Sequence, residues 1–347
     1  MKFELVTKQL QNIRLLPSIA AFASIVAVST EASTDSSVSG YVPLKQSPIL
    51  ESHINRVMIA AELGVVKRPI SKNQLKKAYR KICVSSQVKN PAVRKGCIEV
   101  NKYLNKTANT FYINHASATL RYNNEKVQVV NQAPTTLNNQ RGEHTDTSWS
   151  VQGQGIYNIN NFALLSVGGK AWQGESNLED TYVSFGIPQA QVDIGYKPHW
   201  LSPFKQSAML LSTQAPTFAN ISVSNNTPMT SWNINYEIFS GELSTSNRIR
   251  YQGEFIAGKP MLTGLHVSMS PFNGFTLAVN RILQSGGGER NNDLGDLIKA
   301  FFDPSGADNT KEGLTADQEF RQSSSVHRFS FRLYWQRAFF CLYGIRR

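Results

Sequence analysis

The chain has 347 residues, enough for two domains or for one large β structure. Only 17% of the residues are charged, against roughly 25% in typical soluble proteins, which favours a β structure with a wet polar face. The net charge of +12 is concentrated between Lys67 and Lys106, where twelve basic residues face a single acid, Glu99. Because no aromatic stacking pattern interleaves these lysines, the charge argues against nucleic-acid binding.

Residues 1–32 are predicted to be a secretory signal peptide. Lys2, Lys8 and Arg14 precede an apolar run from Leu15 to Val28, which is too short to span a bilayer and is followed by small residues. An N-terminal anchor is the alternative. No later segment has 18 consecutive apolar residues, so export would lead to the periplasm, the outer membrane or the outside.

A linker, residues 33–46, and a helical segment, residues 47–108, are predicted next. Each of the three helices begins at a start signal, and the signals are Ser47 with Pro48, Ser71 with Gln74, and Asn90 with Pro91. The apolar stripes are narrow, so the helices leave a basic face in water. That face either contacts anionic lipid headgroups or an acidic polymer, or is a plain solvated surface.

The predicted compartment determines the redox state that we expect for the three cysteines. In an oxidising environment we expect Cys83 and Cys97 to pair, which leaves Cys341 over. A disulfide that closes a loop of this length would stabilise the fold by about 3 kcal/mol in the chain-entropy model.

From Asn109 the apolar period changes from 3.6 to 2, which is typical of strands. In the clearest stretch, Thr230 to Phe239, the residues Trp232, Ile234, Tyr236 and Ile238 alternate with polar residues. Twelve strands are predicted, at 110–122, 126–131, 148–159, 162–172, 181–187, 191–196, 208–212, 219–223, 230–243, 248–257, 262–270 and 274–282. With short turns between them, they favour an antiparallel meander. After a signal peptide this predicts a transmembrane β-barrel over 109–322, and a soluble sandwich is the alternative.

Beyond the last predicted hairpin, the sequence predicts loops and irregular final strands. A short helical loop is predicted at 291–303, and a polar loop follows as a candidate lid. Asp303, Asp308 and Asn309 in this loop could hold calcium, but a solvated loop is favoured and no metal site is predicted. Residues 323–347 still alternate at first, yet the chain ends in Ile345-Arg346-Arg347, without an aromatic strand terminus. We therefore expect aberrant final strands from a truncated or frame-shifted product, and whether the barrel closes stays open.

Three stretches resemble the Wzi-type capsule assembly proteins of Gram-negative outer membranes. The sequence before and through the first helix reads GYVPLKQSPILESHINRVMIAAELGVVKRPIS, from Gly40 to Ser71. The second stretch is IGYKPHWLSPFKQSAMLLSTQAPTFANISV, from Ile194 to Val223, and the third is LTGLHVSMSPFNGFTLAVNRILQSGGGERNNDLGDLIKAFFDPSGADNT, from Leu262 to Thr310. The resemblance covers Gly40 to about Gln322.

The resemblance implies a mainly β fold: an antiparallel transmembrane β-barrel with a small N-terminal α-helical bundle in the periplasm. It also implies a non-catalytic, lectin-like protein of the outer membrane that binds capsular polysaccharide and needs no cofactor. Its other expected partners are outer-membrane lipid, lipopolysaccharide and the barrel assembly machinery. A porin-like channel and an outer-membrane hydrolase are the alternatives, the latter with His199 beside Asp193 or Ser202.

Candidate polysaccharide-binding residues are basic or aromatic side chains on the strands and turns. Planar donors suit carboxylate and hydroxyl pairs, and aromatic rings suit sugar faces. The candidates are Arg248, Arg250, Arg281, Arg290, Lys197, His199, Trp200 and Lys205. Arg248 and Arg250 share one strand face, opposite Ile249, and are expected to point into the lumen. The alternative is that lumen arginines pair with Glu237 and Glu254 and fill the barrel.

Overall fold

The computed structural model describes residues 37–84, 88–122, 140–144, 147–204, 208, 210–211, 213–251, 254–288, 321–334 and 337–346. For 250–251 and 321–346 it describes the backbone alone. Three helices come first, α1 (Pro48–Ala60), α2 (Lys72–Cys83) and α3 (Pro91–Lys106). The strands are β1 (Phe111–Leu120), β2 (Trp149–Asn160), β3 (Ala163–Trp172), β4 (Glu175–Asn177), β5 (Tyr182–Ile187), β6 (Ala190–Gly195), β7 (Asn220–Ser224), β8 (Asn235–Glu242), β9 (Ser246–Tyr251), β10 (Glu254–Gly258), β11 (Met261–Phe272), β12 (Phe275–Ser285), β13 (Arg321–Tyr334) and β14 (Arg337–Arg346).

The three helices begin where their start signals predict. The hydroxyl of Ser71 accepts a hydrogen bond from the Gln74 amide at 3.0 Å, and the Asn90 side chain accepts one from the Ala92 amide at 2.9 Å. Ser47 precedes α1 but makes no side-chain cap. The narrow apolar stripes meet in one core, which includes Ile54, Val57, Met58, Leu75, Ala78, Val100 and Leu104. No helix in the described part of the chain is long and apolar enough to cross a membrane.

A disulfide joins Cys83 at the end of α2 to Cys97 in α3, with 5.5 Å between the two Cα atoms. It links the two elements across residues 84–96, at the edge of the helical core. Cys97 is buried, whereas the residues that follow each cysteine in sequence are exposed.

Twelve of the strands form one antiparallel sheet, in the order β1-β2-β3-β5-β6-β7-β8-β11-β12-β13-β14 with β4 beside β3. Strands β9 and β10 form a separate hairpin between β8 and β11. No pairing between β1 and β14 is found among the described strands, so the sheet is an antiparallel barrel that is not closed. Within the segment predicted to be aberrant, 323–347, the described residues continue the sheet in β13 and β14, and each of these strands pairs with the strand before it over ten residues.

The strands alternate between a buried inner face and an outer face that exposes apolar side chains. Along β2, Ser150, Gln154 and Ile156 are buried, whereas Trp149 and Val151 are at least 40% exposed. The same outward pattern recurs at Phe111, Ile113, Tyr157, Ile159, Val167, Val183, Phe185, Ile187, Val267 and Val279. A polar inner face with an apolar outer face is the arrangement of a transmembrane barrel and the reverse of a soluble sandwich.

Short turns lie at one end of the sheet and long connections at the other. Two residues join β2 to β3 and β5 to β6, and the turn between β11 and β12 is equally tight. Much longer segments connect β6 to β7, β8 to β11 and β12 to β13 at the opposite end. In membrane barrels short turns face the periplasm and long loops face outward.

The segment predicted to be a linker is buried where the structure describes it. Val38, Ser39 and Tyr41 are each at most 5% exposed. The Val38 amide bonds to the carbonyl of Asn161, and the Ser39 amide bonds to the side chain of Gln191. The linker prediction was therefore wrong for 37–46. Its polar residues match the polar inner face of the sheet, where backbone and amide groups need partners.

Several strand predictions need correction. Residues 230–233 form a turn, so Trp232 lies before β8 rather than in it, although the alternation from Asn235 onward is confirmed. The predicted strand at 248–257 divides into β9 and β10. Residues 208, 210 and 211 of the predicted strand 208–212 are not in a strand. The predicted strand 126–131 and the helical loop 291–303 lie outside the described residues.

Candidate functional site

A buried charged group on the inner face is Glu237 of β8, which is 2% exposed. Its carboxylate lies 3.0 Å from Lys67 Nζ, 3.1 Å from Lys197 Nζ and 2.9 Å from His199 Nδ1. Lys67 comes from the α1–α2 connection, and Lys197 and His199 come from the β6–β7 connection. Glu237 therefore joins three parts of the chain, and its charge is balanced by two lysines.

A second carboxylate, Asp193 of β6, extends this arrangement. Its Oδ2 accepts hydrogen bonds from Lys197 Nζ at 2.7 Å and from Tyr41 Oη at 2.7 Å, and its Oδ1 accepts one from Ser184 at 2.6 Å. We call the six residues Tyr41, Lys67, Asp193, Lys197, His199 and Glu237 the luminal network. Buried charges are stable only when paired and hydrogen-bonded, which this network achieves.

Three of the predicted polysaccharide-binding residues lie in or beside the luminal network. Lys197 and His199 are each 1% exposed and Trp200 is 6% exposed, so the structure buries them away from the surface. The backbone of Trp200 pairs with that of Arg68. The alternative that lumen arginines pair with Glu237 was wrong, because the partners of Glu237 are two lysines and a histidine.

The predicted arginines are not brought together. Arg248 is exposed in β9 while Ile249 is 3% exposed, so the expected inward orientation of Arg248 was wrong. Arg281 lies within β12 rather than at its end, half-buried and on the outward parity. Lys205 and Arg290 lie outside the described residues, and Arg250 is described by its backbone alone.

His199 does not form the arrangement that a hydrolase would need. Its Nδ1 faces Glu237 and its Nε2 lies 3.0 Å from the Asn220 side chain, so both ring nitrogens have partners other than Asp193 and Ser202. Ser202 is fully buried, and its hydroxyl accepts a hydrogen bond from the Phe204 amide. Among the described residues, no three His, Cys, Asp or Glu side chains are grouped as a metal site would require.

A cleft opens on the inner face of β1–β3. We call it the inner cleft, and its polar lining consists of Lys45, His115, Gln152, Gln154, Glu179 and Asp180. Gln152 Nε2 lies 2.8 Å from His115 Nε2, and Gln154 Oε1 accepts a hydrogen bond from Asn114. Asn114 also donates to the carbonyl of Tyr41, which connects the cleft to the luminal network.

The inner cleft carries three charged groups outside the strands. Lys45 Nζ lies 3.6 Å from Glu179, which is also 3.6 Å from Arg141 Nε. Burial, reinforced by the nearby Lys170 cation, lowers the pKa of Lys45 to about 8 despite Glu179. Burial and the adjacent Glu179 charge raise the pKa of Asp180 to about 7. The net charge of the cleft therefore changes near neutral pH.

Sequence reasoning missed the inner cleft. The period-two pattern does put Gln152 and Gln154 on the polar parity of β2, which is a usable signal. Nothing local connects them with Lys45 or Asp180, which the fold brings together from the N-terminal segment and the β4–β5 connection.

Comparison with known proteins agrees with this architecture. A family model described as capsule assembly protein Wzi matches residues 118–346, including the strands predicted to be aberrant. A similar solved structure is Wzi of Escherichia coli, described as an outer membrane protein involved in group 1 capsule assembly and a carbohydrate-binding β-barrel. The two share 14% sequence identity with a TM-score of 0.55, which concerns the fold alone.

The structural match covers 82% of this chain and 58% of that one, so this chain spans less than two thirds of the Wzi structure. Comparison with curated proteins finds no match. The family model, however, covers well over half of the chain and runs from the last residues of β1 to the end of β14. This protein therefore belongs to the Wzi capsule assembly family.

Proposed function

We propose that this chain is a non-catalytic outer-membrane protein that binds capsular polysaccharide and helps to retain the capsule at the cell surface. Membership of the Wzi family supports the link to capsule, and the E. coli structure of the same fold is described as carbohydrate-binding. The apolar outer face supports insertion into the outer membrane after export, with lipid and lipopolysaccharide around it and assembly by the barrel machinery.

The observation that carries the proposal is the chemistry of the inner cleft. The partly exposed Gln152 amide and the His115 imidazole beside it offer the donors and acceptors that match neighbouring sugar hydroxyls. Lys45 adds one cation that can bind a sugar carboxylate through a charge-assisted hydrogen bond. The carboxylates of Glu179 and Asp180 can accept hydrogen bonds from hydroxyl groups. An acidic or hydroxyl-rich polymer fits this set better than an apolar ligand.

The exposed arginine of the β9–β10 hairpin gives the polymer a second contact. Arg248 is exposed on a hairpin that joins β8 to β11 at the long-connection end of the sheet. That end faces outward in membrane barrels, so Arg248 would meet the polymer before the cleft does. A planar guanidinium suits the carboxylate of an acidic sugar.

Neither alternative function gains support from the described residues. The luminal network and the N-terminal segment fill the inner face that a porin would line with water. The ring nitrogens of His199 are occupied by Glu237 and Asn220, which argues against a histidine-based hydrolase.

The test is titration calorimetry of the detergent-purified protein with capsular polysaccharide from the producing strain. The Lys45→Gln substitution should weaken binding by at least about tenfold, since a hydrogen bond to a charged group contributes on the order of 1.5–3 kcal/mol. The matched control is Lys259→Gln, which removes a lysine that pairs with Glu242 at 3.0 Å on an exposed connection and should leave affinity unchanged.

The same titration from pH 6 to pH 9 tests the charge of the cleft. As pH rises, Asp180 loses its proton near 7 and Lys45 loses its proton near 8, and both changes make the cleft more negative. Affinity for an acidic polymer should therefore fall across this range and should fall less in Lys45→Gln. Unchanged affinity in correctly folded Lys45→Gln would exclude the cleft, and no binding by the unsubstituted protein would exclude the function.

A further inference from the structure

A basic surface patch surrounds two exposed apolar side chains at the disulfide of the helical segment. Val84 follows Cys83 and Ile98 follows Cys97, and the two side chains are 68% and 52% exposed. The Cα atoms of the two cysteines are 5.5 Å apart, so the residues that follow them belong to the same region of the surface although they are 14 positions apart in sequence. Isolated exposed apolar residues are common on protein surfaces, but a covalently fixed pair within a basic surface needs an explanation.

The surroundings of this pair are strongly basic. On α3, Arg94, Lys95 and Lys102 lie three or four residues from Ile98, so they share its face of the helix. Arg80 and Lys81 lie in the last turn of α2, four and three residues before Val84. We call these seven residues the basic patch: Arg80, Lys81, Val84, Arg94, Lys95, Ile98 and Lys102. All are exposed.

Acidic residues do little to neutralise the patch. Lys81 pairs with Glu62 at 3.3 Å and Lys102 pairs with Glu99 at 2.9 Å, both as exposed pairs. Between Leu63 and Ile98 the sequence contains no Asp or Glu. Exposed pairs of this kind are weak and are screened by salt, so they leave the patch available to an anionic surface.

The helical segment contacts the sheet at its short-turn end. Lys77 donates a hydrogen bond to the carbonyl of Pro228 at 3.0 Å, in the turn between β7 and β8. Lys106 ends α3 five residues before Phe111, the first outward-facing apolar residue of β1. Five residues span at most about 18 Å, so the end of α3 stays close to the boundary of the apolar outer face.

We propose that the basic patch docks onto the anionic phospholipid headgroups of the membrane that holds the barrel. The cations provide long-range attraction, and each Lys or Arg near an anionic membrane strengthens binding about fivefold. Val84 and Ile98 insert among the headgroups, as apolar residues of interfacial helices do. A soluble polyanion would leave these two side chains in water, which is why the observations favour lipid. The proposal does not depend on carbohydrate binding.

The test is lysine footprinting of the full-length protein in lipid nanodiscs. Acetylation rates of Lys95 and Lys102 are measured by mass spectrometry in phosphatidylcholine nanodiscs and in nanodiscs that contain about one third phosphatidylglycerol. We expect the anionic lipid to slow acetylation of both lysines at least threefold and to leave Lys259, on the β10–β11 connection, unchanged. Equal rates at Lys95 and Lys102 in the two kinds of nanodisc would overturn the proposal.

A matched pair of variants tests the apolar contribution. The double substitution Val84→Asn with Ile98→Asn should abolish most of the protection, whereas Ile49→Asn, at a 71% exposed site on α1 outside the patch, should keep it. Full protection in the double variant would contradict insertion. A further measurement adds heparin to the protein in phosphatidylcholine nanodiscs and determines the same acetylation rates. If this soluble polyanion protects the lysines as well as phosphatidylglycerol does, the patch binds acidic polymers and the lipid proposal is wrong.

Discussion

Among single residues of the inner face, Glu237 is a carboxylate that contacts three side chains able to carry positive charge. It is almost fully buried, yet two lysines and a histidine contact its carboxylate. A buried carboxylate with several cationic partners adds little net stability compared with an apolar core, but removing it leaves Lys67 without its carboxylate partner. The residue therefore works as a junction that holds the N-terminal segment and the β6–β7 connection against β8.

The first prediction concerns this junction. The substitution Glu237→Gln should lower the free energy of unfolding by about 3–5 kcal/mol, because Lys67 loses its carboxylate partner inside the protein. Urea unfolding of the protein in lipid vesicles, followed by tryptophan fluorescence, measures the change. Glu242→Gln in the same strand is the control, since its pair with Lys259 is exposed and should contribute at most about 1 kcal/mol. Equal effects of the two substitutions would contradict this role.

At the scale of the element, a close approach between neighbouring strands fixes the packing of β8 and β11. Gly264 of β11 is the register partner of Phe239 of β8, whose ring stacks on His199 with 4.0 Å between the ring centres. A Cβ added to Gly264 would overlap three carbon atoms of the Phe239 ring. Glycine is therefore required here by the aromatic ring that covers it, not by backbone conformation.

A second prediction follows from this contact. Gly264→Ala should lower the free energy of unfolding by about 1–3 kcal/mol, because the Phe239 ring must move off His199. Gly153→Ala in β2 is the matched control, since the nearest atom to its added Cβ is 3.7 Å away. Combining Gly264→Ala with Phe239→Leu should cost less than the sum of the two single changes in urea unfolding. Strict additivity would show that the ring is not the cause.

At the scale of the whole molecule, exposed apolar residues fall into two classes. Those on the outer face of the sheet, such as Val167 at 57% exposed, alternate with buried polar residues along each strand. Ile49 at 71% exposed lies on α1 instead, in the helical segment. Exposure alone does not separate the two classes. Strand parity does, because only the outer face of the sheet would meet the hydrocarbon core of the bilayer.

The third prediction uses this difference. Val167→Arg, at the centre of β3, should destabilise the protein in lipid vesicles by about 2–4 kcal/mol, the range for a cation near the bilayer midplane. Ile49→Arg should change stability by no more than about 0.5 kcal/mol, as expected for a surface site in water. Both are measured by urea unfolding in the same vesicles. If Val167→Arg left the free energy of unfolding unchanged, the outer face would not meet lipid.

Local signals predicted most of the helices and strands of this protein. Start signals predicted where the three helices begin, because capping depends only on residues within one turn, as Ser71 with Gln74 illustrates. The period of two predicted most strands and the polar parity that includes Asn235 and Glu237, because alternation is a property of a single strand. The turn at 230–233 was missed, since its residues follow the same alternation as the strand after it.

The sequence by itself determined the helical segment, the antiparallel strands and the apolar and polar parities that make a membrane barrel of this chain. Only the tertiary structure decided which side chains meet. Lys67 reaches Glu237 across 170 positions of sequence, and Lys45 reaches Glu179 across 134. Such contacts depend on strand order, register and the path of the N-terminal segment over the inner face. No local period encodes these, so the inner cleft and the luminal network could be found only in the folded molecule.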